Sequence, residues 1–316
     1  MSGNRLLKVK INSVRTPDGY FILKDIEFEL FEKETLCIIG ESGSGKSMTG
    51  YCIMGLLPPN LISDYEICFS KGEVTLCRPE NFRGRDITMI FQEPMTALNP
   101  LFTIGAQLAE SIKGYNNQEK EKIVTDALKS VGIRDAHRVY HSYPHQLSGG
   151  MRQRALIAMA FLPNPSVVIA DEPTTSLDVT VASGILSLVN QLKKTKGTSL
   201  IFISHDLNIV EKMADRILVM YGGTVMEGGA LNDILKKPLH PYTKAIKRLY
   251  EERRRGDRKH LPEIRGFVPS IREMPAGCPF NPRCELSTEQ CLKEMPPVST
   301  LTNGHIIRCF NYKSAL

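Results

Sequence analysis

The stretch GESGSGKS at residues 40 to 47, directly after the apolar run TLCIIG, constrains this chain more than any other feature. A short apolar strand that ends in glycines before a helix leaves backbone N–H groups unpaired and aimed at one point, which suits a phosphate. Gly40, Ser42, Gly43, Ser44, Gly45, Lys46 and Ser47 line that point. Gly43 and Gly45 let the backbone wrap a β-phosphate, Lys46 reaches the β and γ oxygens, and the Ser47 hydroxyl ligates Mg²⁺. The bland alternative, a strand-to-helix turn that merely favours glycine, is weighed by whether the rest of a nucleotide site follows downstream.

A second element does follow. The spacing G-x-x-x-x-G-K-S is that of the Walker A loop. In SVVIADEP, the apolar run Val167 to Ala170 reads as a buried strand that carries Asp171 and Glu172 to its carboxyl end, where ligands of open α/β sheets bind. Asp171 is placed to hold Mg²⁺, directly or through water. Glu172 is placed to polarise an attacking water and is the candidate general base.

The rest of the chain sets limits on the setting. Its 316 residues suffice for one large or two moderate domains, and a net charge of +6 is modest for that size, so no nucleic-acid partner is expected. No run of 18 apolar residues occurs, and the N-terminus lacks an apolar signal region, so the expectation is a protein neither secreted nor membrane-spanning. The eight cysteines then belong to a reducing compartment, where structural disulfides are not expected.

Residues 1 to about 90 read as strands (LLKVKINSV, FILKDIEFEL, TLCII), the phosphate loop and a helix ended by Pro58 and Pro59. Residues of about 92 to 160 read as amphipathic helices, IGAQLAESIKGY and KEKIVTDALKSVGI among them. From about 165 the βαβ pattern returns and predicts a largely parallel sheet covered on both faces. The charged segment YEERRRGDRKH reads as a linker or an exposed helix end before a Pro- and Cys-rich tail.

LSGGMRQR at 147 to 154 resembles the signature motif of the ATP-binding cassettes of ABC transporters, and the resemblance covers residues of about 5 to 250. It implies an α/β P-loop nucleotide-binding fold with a helical subdomain at about 92–160, followed by a linker and small Cys-rich extension at 251–316. Without the family, Ser148, Gly149 and Gly150 read as another helix N-terminus that favours an anion. The resemblance implies that cassettes pair head to tail, each signature closing on the γ-phosphate held by the other. It further implies that Gln92 in FQEP contacts Mg²⁺ or the attacking water, that Asp178 in SLD lies at the dimer seam, and that His205 in ISHD contacts the γ-phosphate. The plain alternatives are a buried glutamine, a helix-capping aspartate and a strand-end histidine. The resemblance also implies an aromatic residue upstream of the Walker loop that stacks on adenine, a role open to Tyr20 or Phe21 in PDGYF; the plain alternative is that both are hairpin residues packing on the sheet.

FQEPMTALNP, HPYTKAI at 240 to 246 and the tail GCPFNPRCELSTEQC resemble the ATP-binding subunits for dipeptide, oligopeptide and, in some members, nickel uptake. The resemblance implies that Cys278, Cys284, Cys291 and Cys309 ligate a [4Fe–4S] cluster. Their spacing alone leaves structural zinc, unligated thiols or disulfides open. Cys37, Cys52, Cys68 and Cys77 read as scattered, small buried hydrophobes. The resemblance implies an ATPase on the cytoplasmic face of a membrane, partnered by a related but distinct cassette subunit, two permeases and an extracytoplasmic substrate-binding protein. A soluble non-transport cassette ATPase and a non-hydrolysing regulatory subunit are the rival classes.

Overall fold

The computed structural model describes residues 3–175, 177–255 and 264–315, which form two compact units. One holds residues 3–6, 30–33 and 69–202, and the other holds 7–29, 34–68 and the described residues from 203 onward.

In the first unit the strands Ile87–Ile90 and Val167–Asp171 pair in parallel, Met89 opposite Ile169, and every residue of both is buried. That double-sided burial is why SVVIAD reads as a continuous apolar run rather than an alternation. Around this pair lie the helices Pro94–Ala97, Ile104–Ala109, Asn117–Ser130, Ala136–His141, Gly149–Phe161 and Val179–Lys196. Helix Asn117–Ser130 starts with a reciprocal cap. Glu119 N–H donates to Asn116 Oδ1 at 3.0 Å, and Asn116 N–H donates back to Glu119 Oε2 at 2.9 Å. The expected helix over IGAQLAESIKGY is shorter than its pattern suggests. It ends at Ala109, because Ser111 and Ile112 bond back to the third preceding carbonyl and Gly114 takes φ +84°.

The ladder of the Ile62–Lys71/Val74–Leu76 hairpin sets Phe69 opposite Leu76. Cys68 and Cys77 are each disulfide-bonded, which corrects the expectation of eight reduced thiols. Cys37 and Cys52 are fully buried thiols outside any disulfide, and burial pushes Cys52 up to about 12.

In the second unit Thr35–Ile39 lies parallel to Arg216–Tyr221, Ile38 opposite Leu218, and the sheet continues antiparallel through Thr224–Ala230 and Ile306–Ile307 to Ser299–Thr300. The Cys-rich tail therefore extends the same sheet that carries the phosphate loop. Helix Pro241–Arg255 covers the first six residues of the charged YEERRRGDRKH segment, and residues 256–263 of the notionally linking stretch lie outside the described residues.

The tail is pinned by one buried carboxylate. Glu227 is wholly buried and accepts from Leu239 N–H at 2.7 Å and His240 N–H at 3.1 Å, and its Oε1 meets His305 Nε2 at 2.7 Å. Replacing Glu227 with alanine strands two backbone donors and an imidazole in the interior. The expected loss is about 3–5 kcal/mol, read as a shift in the urea unfolding midpoint at unchanged slope.

Candidate active site

In the second unit the fully buried strand Thr35–Ile39 delivers Gly40 to the loop. A Cβ at Gly40 would lie 2.2 Å from the Met220 carbonyl oxygen, and one at Gly45 would lie 2.7 Å from Leu23 Cδ2. Glycine is required at both positions by close approach, and at Gly45 also by φ +97°. Helix Lys46–Met54 then begins with no side-chain cap, so the loop's own geometry governs its first N–H groups. Lys46 is buried, and its Nζ donates to the Gly40 and Glu41 carbonyls at 2.9 Å each. Ser44 Oγ is buried without a hydrogen-bond partner among the described residues. A buried cation, a helix N-terminus and an unsatisfied hydroxyl fit a polyphosphate. Ser42 and Gly43 are exposed, and Ser47 is half-buried at the helix start.

Two further sequence candidates belong to this unit. Tyr20, 37% exposed, lies in the turn between the strands Arg5–Arg15 and Phe21–Phe31, with the Arg272 guanidinium 5.8 Å from its ring centroid. His205 is exposed directly after the strand Ser199–Ser204, where Asp206 N–H donates to Ser204 Oγ at 3.0 Å.

The first unit carries the carboxylates. Asp171 is wholly buried at the end of its strand. Glu172 follows at φ +43°, a left-handed conformation that an L side chain tolerates at a cost of roughly 1–2 kcal/mol. Its Oε2 accepts from Thr175 Oγ1 at 2.9 Å and, weakly, from Gln92 Nε2 at 3.5 Å. Gln92 and Glu172, 80 residues apart, are thus brought together. Thr175 is a partner that the motif reading missed, since nothing in its spacing distinguishes it.

Ser148 caps helix Gly149–Phe161 by accepting from Met151 N–H at 3.4 Å, and Asp178 caps Val179–Lys196 by accepting from Val181 N–H at 2.9 Å. Ser148, Gly149 and Asp178 are exposed and Gly150 is half-buried.

The four tail cysteines line one small cavity with Phe280 and Asn281. Asn281 Nδ2 bridges the Cys278 and Cys291 carbonyls at 2.8 and 3.3 Å, and Cys278 N–H donates to the Cys291 carbonyl at 2.8 Å. Burial pushes the Cys278 thiol up to about 12, and the neighbouring cysteines add to the rise. Cys284 and Cys309 are raised for the same leading reason. Four thiols lining one cavity, with burial raising Cys278, Cys284 and Cys309, fit a cationic centre whose charge would offset the burial cost of the thiolates.

Two family models match the chain, "ABC transporter" over residues 23–175 and "Oligopeptide/dipeptide transporter, C-terminal region" over residues 226–291. The oligopeptide transport ATP-binding protein OppD of Haemophilus influenzae is 43% identical over 320 residues, covering 97% of each chain. AppD of Bacillus subtilis is 38% identical, covering 96% of this chain and 97% of its own. Among solved structures, the dimeric post-hydrolysis cassette MJ0796 bound to ADP and Pi superposes with a TM-score of 0.61 at 28% identity, covering 72% of this chain and 99% of that one.

Proposed function

Because the chain belongs to the ATP-binding subunits of the oligopeptide and dipeptide ABC transporters, we propose that it hydrolyses ATP to drive peptide uptake, with Glu172 as the general base. The observation that carries the catalytic assignment is the Glu172 carboxylate, held in a costly backbone conformation and fixed by Thr175 and Gln92.

In this reading the loop from Gly40 to Ser47 binds the triphosphate, and Lys46 offsets charge on the β and γ oxygens. Ser47, Asp171 and Gln92 are the residues that would hold Mg²⁺, which would supply further charge neutralisation when bound. Glu172 takes a proton from the attacking water as the new O–P bond forms and the bond to the ADP leaving group breaks. His205 hydrogen-bonds the γ-phosphate, and Tyr20 stacks on adenine. Ser148, Gly149 and Gly150 of a second cassette close over the γ-phosphate, with Asp178 at the seam.

Among the described residues no helix is long and apolar enough to cross a membrane; in this reading the spanning subunits are separate permeases. Just after Gln92, Met95, Leu101 and Phe102 are 51%, 79% and 51% exposed. That apolar surface supports docking of a permease close to the residue that touches Glu172. The chain then works on the cytoplasmic face as a peripheral subunit, with a distinct second cassette, two permeases and an extracytoplasmic peptide-binding protein. Gentle extraction of the native complex from membranes is expected to recover permeases with bound peptide. Recovery of ribosomes or DNA with no membrane protein would overturn the transport reading, and a nickel-binding partner would replace the substrate.

The same reading assigns a [4Fe–4S] cluster to Cys278, Cys284, Cys291 and Cys309, where it holds the tail in shape. Anaerobic purification is expected to yield about four iron and four sulfide per chain. One zinc per chain, or metal-free protein, would remove the assignment.

A further inference from the structure

The Cys-rich tail reaches back to the phosphate loop through one side chain. Arg283 directly precedes Cys284 and sits in the short turn Asn281–Arg283, whose Asn281 also ties the Cys278 and Cys291 backbones together. Its guanidinium grips Glu41, the second residue of the loop, in a two-pronged bridge. Nη1 lies 2.5 Å from Oε2 and Nη2 lies 3.1 Å from Oε1. The remaining donors are also engaged: Nη1 with Tyr221 Oη at 3.3 Å, Nη2 with the Ile264 carbonyl at 3.0 Å, and Nε with the Arg265 carbonyl at 2.9 Å. All five N–H groups of the side chain therefore have acceptors. With the Arg283 side chain only 4% exposed, the bridge is far less screened than a surface pair.

Glu41 is in turn a junction of the loop. Its N–H donates to Tyr242 Oη at 2.8 Å, and its carbonyl accepts from Lys46 Nζ at 2.9 Å and from Ser44 N–H at 3.2 Å. The residue that Arg283 holds by its carboxylate thus holds the phosphate-binding lysine by its carbonyl. Tyr221, Tyr242 and Phe280 pack against one another with ring centroids 4.8–5.3 Å apart, backing the junction with a rigid aromatic wall.

We propose that Arg283 is a positioning residue for the phosphate loop, setting nucleotide affinity through Glu41 and so making that affinity depend on the folded state of the Cys-rich tail. The proposal rests on the reading of residues 40–47 as the nucleotide site. A bridge that only docked the tail would contribute to stability without touching affinity.

The test uses the full chain in its transporter complex and measures ATP Kd, KM and kcat for Glu41→Gln, Arg283→Met and the double variant, alongside unfolding midpoints. Glu41→Gln removes the charged acceptor and leaves the other three Arg283 acceptors in place, so the tail stays docked. The expected result is a rise in Kd and KM of roughly five- to tenfold that exceeds any fall in kcat. The double variant is expected to be no worse than the more affected single one, as for residues acting through one bond. An unchanged Kd for Glu41→Gln, with or without a lowered midpoint, overturns the proposal. Additive losses in the double variant also overturn it. Absence of ATP binding by the unmodified complex would instead remove the nucleotide-site reading, and the proposal with it.

Discussion

Glu172→Gln is expected to bind ATP with unimpaired affinity and to turn it over about 10²- to 10⁴-fold more slowly, the contribution typical of a positioned general base. Glutamine keeps the shape of the side chain and a carbonyl oxygen that still accepts from Thr175 Oγ1, but it cannot take the proton of the attacking water. The two outcomes separate in a single experiment in which equilibrium nucleotide binding is measured beside steady-state phosphate release. Undiminished release would remove Glu172 as base. Loss of binding as well would mean that the residue holds the site together rather than acting on water.

The second large effect is expected at Lys46. Lys46→Met keeps an unbranched apolar stem but loses the ammonium that offsets phosphate charge, so ATP affinity and kcat/KM are expected to fall by about 10²-fold or more. The variant should remain folded. The Gly40 and Glu41 carbonyls lose one donor each, while Ser44 N–H still donates to Glu41 and Thr49 N–H still donates to Gly45 at 2.9 Å, preserving the loop and the first helical turn. Isothermal titration with ATP, compared with the thermal midpoint, distinguishes the effects. A collapse of the midpoint would assign Lys46 a structural duty that its two carbonyl contacts do not predict.

These two sites were readable because their chemistry is local in sequence. Gly40 to Ser47 are contiguous, the close approaches at Gly40 and Gly45 demand residues without a side chain, and Val167 to Asp171 carries the apolar run of a strand buried on both faces. What the sequence concealed depends on pairings between distant residues. Arg283 and Glu41 are 242 positions apart, and Glu227 and His305 are 78 apart. An arginine in a Pro- and Cys-rich tail or a glutamate within an apolar strand carries no periodic signal of its partner. The disulfide-bonded state of Cys68 and Cys77 leaves no signal in the spacing of the four scattered cysteines. The short helix Ile104–Ala109 ended early because the chain switched to third-residue bonds before a left-handed glycine, a tightening that apolar spacing does not record.

With Glu172 read as the general base, its left-handed backbone sets thermal robustness against catalytic competence at one position. Glycine and asparagine fit that conformation better than glutamate does, and neither carries a carboxylate. A library of this chain selected only for heat resistance would therefore drift away from glutamate there and grow sturdier as it fell silent, so any stabilised version needs this position held fixed while the rest of the chain varies.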